Sequence, residues 1–563
     1  EAVRALLAEL QLDADARTRI QATAVDLVER VRKRAQDQGA IEAFMREYDL
    51  SSEEGVLLMC VAEALLRIPD SETADRLIRD KLGDADWGKH VGQSDSLFVN
   101  ASTWGLMLTG RMVNLAEETR GNFVGALKRL VGRAGEPVVR LAVRQAMKIM
   151  GHQFVMGRTI EEALKRSKKG ENARYRYSYD MLGEGALTQP DGDRYLEAYR
   201  KAILAIGSTG PFADVFDAPS ISVKLSALHP RYEHGKRARV LAELAPRVLE
   251  LAKLARAQGI GFTIDAEETD RLELSLDLIL QVFADPALDG WQGYGLAVQA
   301  YQKRAPQVID LVADAARKAG RRIPMRLVKG AYWDAEVKRA QVEGQAGYPV
   351  FTRKPNTDLS YLACARRMLG HIDALYPMFA SHNAHTIAAI HHMAQGLLGP
   401  VEPTAPPRFE FQKLHGMGDD LYAEVIGPDR LNTPCRVYAP VGSHEDLLPY
   451  LVRRLLENGA NSSFVNRITD PAISPVELVA DPTETVRGYA NAAHPRIPLP
   501  VHLYGTERAN SMGINLADDN ALRALAERMN ALKLPIEVKP LVPGANSAGA
   551  WVDVRSPSDR SQV

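Results

Sequence analysis

The feature that most constrains the fold of this chain is a regular alternation of short, mostly apolar segments with helical segments between about residues 172 and 467. Strands that alternate with helices in this way form a parallel sheet, because each helix carries the chain back to the start of the next strand. The predicted strands are 176–182, 221–228, 261–266, 294–300, 324–328, 378–382, 408–414 and 436–440. Eight such units in about 290 residues predict an α/β fold, an eight-stranded β/α barrel of the TIM type, with functional side chains at the C-terminal strand ends.

The regions on either side of the predicted barrel have a different character. The front of the chain shows 3.6-residue periodicity, which predicts helices, whereas the proline-rich segment after about residue 468 is typical of a connector. A short helix is predicted at 522–532 and paired strands in the tail. The predicted divisions are 1–83 for a helical arm, 84–170 for a helical α-domain and linker, 171–467 for the barrel, 468–539 for a linker and 540–563 for an incomplete tail.

The composition argues against several classes of protein. Lysine and arginine number 70 against 71 aspartates and glutamates, a net charge of −1, which does not favour a nucleic-acid partner. The three cysteines, Cys60, Cys364 and Cys435, form no C-x-x-C motif, so we expect neither a disulfide framework nor a thiolate metal site. The chain lacks an apolar run of eighteen residues and a signal-peptide pattern, which favours the cytoplasm. It begins without methionine, so further residues are expected before it.

Charged side chains follow several predicted strands. Lys224 alternates with apolar neighbours on the second strand, and a lysine inside a barrel is costly without an anionic partner. Asp265 ends the third strand, as a site residue or as a helix N-cap. On the fifth strand, Arg326 precedes Lys329 and Trp333, which form either a site or a packed rim. We expect these side chains to converge at one end of the barrel.

Three other patterns admit both a functional and a structural interpretation. Lys354 and Thr357 could hold a phosphate or belong to a solvated loop. Neither G-x-G-x-x-G at a helix start nor a Walker loop occurs, so a nucleotide would not be held by a Rossmann unit. The helix predicted at 447–459 carries Tyr450, Arg453, Arg454 and Glu457 on one face. That face is either an ordinary solvated surface or a carboxylate-binding one.

Two classes of function can be proposed from these residues alone. His382 and His385, with Asp265, would suit a metal-dependent aldolase or hydrolase on a TIM-type barrel, although the two histidines lack a full set of ligands. A helical interaction protein with the barrel as scaffold is the other alternative.

Eight segments in this order resemble the proline utilization A (PutA) family, specifically its proline dehydrogenase barrel. They are YDMLGE at 179–184, SVKLSA at 222–227, TIDAEE at 263–268, LAVQAY at 296–301, RLVKGAYW at 326–333, HNAH at 382–385, FEFQKLHGMG at 409–418 and YAPVG at 438–442. The helix at 447–459 completes the set, and the resemblance spans about residues 175–467. The front resembles the family's dimerisation arm and α-domain, and the tail resembles the start of its aldehyde dehydrogenase domain.

The resemblance implies FAD-dependent oxidation of L-proline to Δ1-pyrroline-5-carboxylate, the first step of proline catabolism to glutamate, by hydride transfer to flavin N5. It implies that Arg453 and Arg454 bind the proline carboxylate and that Glu184 gates the site by pairing with Arg453. The remaining catalytic and pocket residues would be Lys224, Asp265, Arg326, Leu327, Tyr438, Tyr450 and Glu457. The FAD-binding residues would be Gln299, Arg326, Lys329, Gly330, Trp333, Thr352, Lys354, Thr357, His382 and Asn383, and no metal is implied.

The resemblance also sets expectations about partners. The family passes electrons to a membrane quinone, so a peripheral position at the inner face of the cell membrane is expected, with homo-oligomers through the helical arm. The NAD-dependent aldehyde dehydrogenase activity needs a cysteine nucleophile, and no cysteine follows Cys435, so that activity is not encoded here. The ribbon-helix-helix module of some members is not evident before the first helices, so DNA binding is not expected.

Overall fold

The computed structural model describes residues 1–36, 155–399, 407–442, 464–468, 470, 472–533, 536–544 and 549–562. The described residues include the barrel strands, the first two helices and most of the connector. The helices predicted between residues 52 and 150, and the helix predicted at 447–459, lie outside the described residues.

Eight parallel strands close into a barrel, in which β1 pairs with both β2 and β8. The strands are β1 Arg176–Met181, β2 Ser220–Val223, β3 Gly261–Ile264, β4 Tyr294–Gln299, β5 Ile323–Val328, β6 Leu375–Ala380, β7 Glu410–Leu414 and β8 Cys435–Val441. The predicted eight-stranded barrel is therefore confirmed. The second strand is shorter than predicted, because the chain turns into the short helix Leu225–Leu228 directly after Lys224.

The helices follow the strands as the alternation predicts. In chain order they are α1 Ala2–Glu9, α2 Ala14–Gln36, α3 Ile160–Ser167, α4 Gln189–Gly207, α5 Leu225–Leu228, α6 Arg237–Ala257, α7 Leu272–Phe283, α8 Ala305–Lys318, α9 Trp333–Val342, α10 Lys354–Gly370, α11 Ala384–Leu398, α12 Asp419–Ala423, α13 Phe464–Arg467, α14 Pro475–Leu478, α15 Pro482–Arg487 and α16 Asp519–Asn530. Most of these helices contribute buried apolar side chains to one large core shared with the strands, whereas α9 packs in a smaller cluster with Tyr301 and α16 has no buried residue.

The inside of the barrel is polar, and this is what positions the site. Successive residues of a strand point to opposite faces, so Ser178 and Asp180 share the inner face of β1. Ser178 and Ser222 hydroxyls contact each other at 2.9 Å across β1 and β2. Each inner polar side chain needs a partner, because water is largely excluded there.

The first two helices pack on the barrel. Leu10 is 1% exposed, and Ala24 and Val28 are completely buried in the main core. The Arg367 guanidinium of α10 donates to both carboxylate oxygens of Glu9 at 2.7 Å, and Thr23 contacts His392 of α11 at 2.8 Å. Residues 1–36 are thereby fixed to helices α10 and α11, which follow strands β5 and β6.

The connector contains the predicted short helix, α16, whose first turn is capped by Asp518 and attached to the barrel by an Arg237–Asp519 ion pair of 3.1 Å. The prediction of paired strands in the tail is wrong for 536–544 and 549–562, which contain no strand. The apolar side chains of these tail segments are exposed, Leu541 by 97%. Within the described chain, no neighbouring strand covers them. Among the described helices, none has the length and apolar character needed to cross a membrane.

Candidate active site

A closed ionic network lies at the C-terminal end of the barrel. The Lys224 ammonium donates to both oxygens of Asp180 at 2.9 Å, to Asp265 Oδ2 at 3.4 Å and to the Tyr438 hydroxyl at 3.2 Å. The Tyr438 hydroxyl in turn donates to Asp265 Oδ2 at 2.7 Å. The cost of burying this lysine is thus offset by the carboxylates of Asp180 on β1 and Asp265 directly after β3, and by the phenol of Tyr438 on β8.

Arg326 joins the same network from β5 and is 3% exposed. Its Nη1 donates to Asp265 Oδ1 at 2.6 Å, and its Nε donates to Gln412 Oε1 at 2.7 Å. Its Nη2 donates to the hydroxyls of Ser178 at 3.1 Å and Ser222 at 2.9 Å. A guanidinium has five N–H donors, so one on Nη1 has no acceptor among the described residues.

The electrostatics of the network favour a fixed pattern of protonation. Burial alone would lower the pKa of Lys224, but Asp180, Tyr438 and Asp265 outweigh it and raise that pKa well above its ordinary value. Burial, with the charges of Asp180 and Asp265, raises the pKa of Tyr438 well above its ordinary value. Lys224 therefore stays an ammonium and Tyr438 a neutral donor at physiological pH.

A second polar layer lies deeper in the barrel. The Gln412 amide nitrogen donates to Glu410 Oε1 at 3.0 Å. Glu410 is completely buried and accepts from Arg436 at 2.6 and 3.1 Å and from Arg176 at 3.3 Å. Sequence reasoning assigned no role to Asp180, Ser178, Ser222, Gln412 or Glu410. Polar residues alternate with apolar ones along β1 and β7, and this pattern could have indicated that these side chains point into the barrel. Their contacts with side chains of other strands could not be inferred without the register of the strands.

Two lysines converge at the start of α10, among the residues predicted to bind FAD. The ammonium groups of Lys329 and Lys354 both contact the Asp358 carboxylate, Lys354 at 2.8 Å. Burial by itself would raise the pKa of Asp358, but the two lysines overcome it and lower the pKa to about 2. Both ammonium groups lie beside the N-terminus of α10, where backbone N–H groups favour a bound anion.

The other predicted FAD-binding residues lie around the ends of β4 to β6. Thr352 Oγ1 accepts from the His494 backbone N–H at 3.1 Å, and the Trp333 indole donates to the Phe351 carbonyl at 2.8 Å. Gln299 and Thr357 are buried, and Gln299 Oε1 accepts a hydrogen bond from the Gln302 amide at 2.7 Å. The His382 Nε2 atom accepts from the Leu414 backbone N–H at 3.1 Å. Asn383 Oδ1 caps α11 by accepting from the Thr386 N–H at 3.0 Å.

Leu327 and Glu184 are less directly connected with the network. Leu327 is completely buried in the main hydrophobic core, and its place in a proline pocket stays a prediction. Glu184 follows β1, while its predicted partner Arg453 lies outside the described residues. The same holds for Tyr450, Arg454 and Glu457, so the predicted carboxylate-binding face stays a prediction.

The structure does not bring together the three residues of the metal-enzyme alternative. Asp265 bonds with Arg326 and lies 3.4 Å from Lys224, and cations oppose a bound metal ion. His385 lines an open cleft of about 550 Å³ beside α2. Within the described ranges, the group of metal-type side chains that does converge is a different one, His234, Glu273 and Asp519. This disfavours the aldolase or hydrolase interpretation.

Gly330 allows the backbone to pass close to the Tyr301 ring, which a residue with a side chain could not do. Its φ is +134°, and a Cβ atom there would lie 2.5 Å from the Tyr301 ring. We expect Gly330→Ala to lower the free energy of unfolding by about 2–4 kcal/mol, from backbone strain and overpacking. Gly320→Ala is the matched control, since φ is +63° there and the space is open. Chemical denaturation measures both, and equal losses would refute a special role for the Tyr301 contact.

Comparison with known families gives two matches. A family profile described as "Proline dehydrogenase" matches residues 163–467, just over half of the 563-residue chain. A second, described as "DNA-binding domain of Proline dehydrogenase", matches residues 40–154, which lie outside the described residues. That second match speaks against the expectation of no nucleic-acid partner, which stays untested by the structure.

Individual relatives agree with the first profile. The chain is 48% identical to the bifunctional protein PutA of Salmonella typhimurium over its whole length, and covers 43% of that protein. It is 26% identical to proline dehydrogenase 1 of Bacillus subtilis, with 58% of the chain and 93% of that protein aligned. A crystal structure of a Bradyrhizobium japonicum proline utilization A mutant matches with a TM-score of 0.72 and 49% identity, covering 94% of this chain and 52% of that one. The chain thus spans under half the length of the bifunctional relative.

Proposed function

The chain belongs to the proline dehydrogenase family, and from that premise we propose that it oxidises L-proline to Δ1-pyrroline-5-carboxylate with FAD as its cofactor. The observation that carries the proposal is the network of Lys224, Asp180, Asp265, Arg326 and Tyr438 at the strand ends. It is neutral overall, and within the described part of the chain it leaves one Arg326 N–H for a ligand.

The described residues fit a flavin dinucleotide. Lys329 and Lys354 at the start of α10 supply positive charge for a pyrophosphate, and Thr357 lies in the same helical turn. Bound there, FAD would supply an acceptor for the hydride that leaves the proline carbon beside nitrogen.

The protein groups have the task of orienting a small amino acid. Lys224 and Tyr438 present an ammonium and a phenol that hydrogen bonds hold in place, and Asp265 fixes both. We assign the proline carboxylate to Arg453 and Arg454, on the resemblance alone. Because proline loses its hydride more readily as a neutral amine, this arrangement provides positioning rather than a strong base.

Lys354 offers a direct test of the cofactor site. We expect Lys354→Gln to weaken FAD binding about 10-fold, the lower end for losing a charge-assisted hydrogen bond, because the side chain is 46% exposed. Lys338→Gln on the exposed face of α9 is the matched control. Titration of the apoprotein with FAD by fluorescence quenching measures both, and equal affinities would remove Lys354 from the site.

The proposal as a whole is tested by the absorption spectrum of the purified protein. A yellow flavoprotein whose visible flavin absorbance is bleached by L-proline under anaerobic conditions would support it. D-Proline is the control, because a positioned carboxylate and ring should distinguish the enantiomers. Colourless protein with tightly bound zinc would favour the metal-enzyme alternative instead.

Several properties of the longer relatives are also proposals for this chain. We infer that electrons pass to a membrane quinone, that the protein works in the cytoplasm or at the inner membrane face, and that the helical arm supports a homo-oligomer. We further propose that an NAD-dependent aldehyde dehydrogenase activity belongs to a longer parent protein. A quinone-reduction assay with membrane vesicles would test the electron acceptor. The molecular mass in solution would test the homo-oligomer.

A further inference from the structure

A relay of two side chains on β7 holds Arg326 from below. Gln412 is 1% exposed and Glu410 is completely buried, and they share the inner face of the strand. Gln412 accepts the Arg326 Nε–H at 2.7 Å through its carbonyl oxygen and donates to Glu410 at 3.0 Å through its amide nitrogen. The described side chains thus connect the strand-end network with the ion pairs at the opposite end of the barrel.

The orientation of the Gln412 amide is decided by its neighbours. A carboxylate only accepts hydrogen bonds and a guanidinium only donates them, so the amide nitrogen must face Glu410 and the oxygen must face Arg326. Glu410 is itself immobilised by a two-pronged contact with Arg436, at 2.6 and 3.1 Å. The acceptor offered to Arg326 Nε is therefore fixed in position.

This acceptor decides how the guanidinium lies. The bonds of Arg326 to Asp265, Ser178 and Ser222 all involve Nη1 and Nη2, whereas the bond to Gln412 involves Nε, nearer the Cβ end of the side chain. Without the Nε acceptor, the planar group can rotate while keeping part of its other bonds. The direction of the remaining Nη1 N–H, and the place of the positive charge, would then change.

We infer that Gln412, oriented by Glu410, is a positioning residue that fixes the Arg326 guanidinium toward the bound cofactor; the inference rests on the proposed function. Positive charge near a flavin ring favours its reduced form. A guanidinium that is held in place therefore raises the reduction potential of the flavin, and one that can rotate raises it less.

The test compares Gln412→Met, which keeps the length of the side chain and removes the amide, with Met378→Leu. The Met378 sulfur contacts the same amide nitrogen at 3.1 Å, so its substitution disturbs the same layer without changing the Arg326 acceptor. For Gln412→Met we expect about a tenfold weaker preference for reduced over oxidised flavin, which is a potential about 30 mV lower for two electrons. Met378→Leu should leave the potential unchanged.

A double-mutant cycle separates positioning from a general structural effect. If Gln412 acts through Arg326, the combination of Arg326→Met and Gln412→Met should have the same flavin potential as Arg326→Met alone. Additive shifts, or an unchanged potential in Gln412→Met, would overturn the inference. Glu410→Gln should shift the potential in the same direction; if that variant does not fold, the cycle still decides.

The failure of this inference can be told apart from failure of the proposed function. Wild-type protein that binds FAD but is not reduced by L-proline would refute the proposed function, while the potentials would still test Gln412. Proline reduction with unchanged potential in Gln412→Met would refute the inference and leave the proposed function standing.

Discussion

Lys224→Met is expected to lower the free energy of unfolding by about 3–5 kcal/mol, the cost of removing one partner from a buried ion pair. The Asp180 side chain is 1% exposed, and its two oxygens share the Lys224 ammonium at 2.9 Å. Without that ammonium, the carboxylate inside the barrel loses the charge that compensates it. Urea denaturation at neutral pH measures the loss.

Lys303→Met is the matched control for this substitution. The Lys303 ammonium donates to the Tyr348 carbonyl at 2.6 Å, so its removal leaves a neutral acceptor rather than a buried charge. We expect a loss of about 1 kcal/mol there, typical of a single hydrogen bond. Equal losses in the two variants would contradict the account of Asp180.

The pH dependence of the Lys224→Met variant provides an independent check. Burial raises the pKa of Asp180, and Lys224 is the cation that opposes this rise, so its removal should raise the pKa further. A carboxyl with a raised pKa in the folded state binds its proton more readily there than in the unfolded chain. Stability from that proton is present below the folded pKa and lost as pH rises through it, so the gap to wild type should narrow on acidification.

Arg326→Met should lower kcat/KM for L-proline by about 100- to 1,000-fold, the usual effect of removing a fixed donor from a site where charge develops. The variant should still fold, because Asp265 keeps its contacts with Lys224 and Tyr438. Anaerobic stopped-flow reduction by proline, normalised to bound flavin, measures the effect.

Arg322→Met is the control, since Arg322 lies one residue before β5 and contacts Gln292 and the Phe216 ring at the opposite end of the barrel. Its proline kinetics should be unchanged. A normal reduction rate in Arg326→Met would exclude Arg326 from the chemistry, whatever its structural contacts.

Sequence patterns succeeded where one local property decided the structure. Alternating strands and helices predicted the barrel, since each unit must bury its apolar face against the next. Helix α16 is explained by a good N-cap and by its periodicity. The prediction of paired strands in the tail was wrong. A strand needs a neighbouring strand to pair with, and the composition of a segment does not show whether one is present.

The residues of the site also divide into those that the sequence predicts and those that it does not. Lys224, Asp265 and Arg326 could be proposed from the sequence, because each is a charged side chain at a predicted strand end. The sequence could not show that Asp180 makes most of the contact with Lys224. It also could not show that Gln412 and Glu410 lie beneath Arg326. Those pairs join residues from 44 to 86 positions apart, through a register that no single strand contains.

The sequence by itself therefore determined the barrel, the strand ends that hold charged residues and, through its motifs, the family. The tertiary structure decided which charges neutralise one another and which Arg326 donors the described acceptors occupy. The physical reason is that strand periodicity is a property of neighbouring residues, whereas the energy of a buried charge depends on atoms a few ångströms away in space. Only closure of the barrel brings those atoms together.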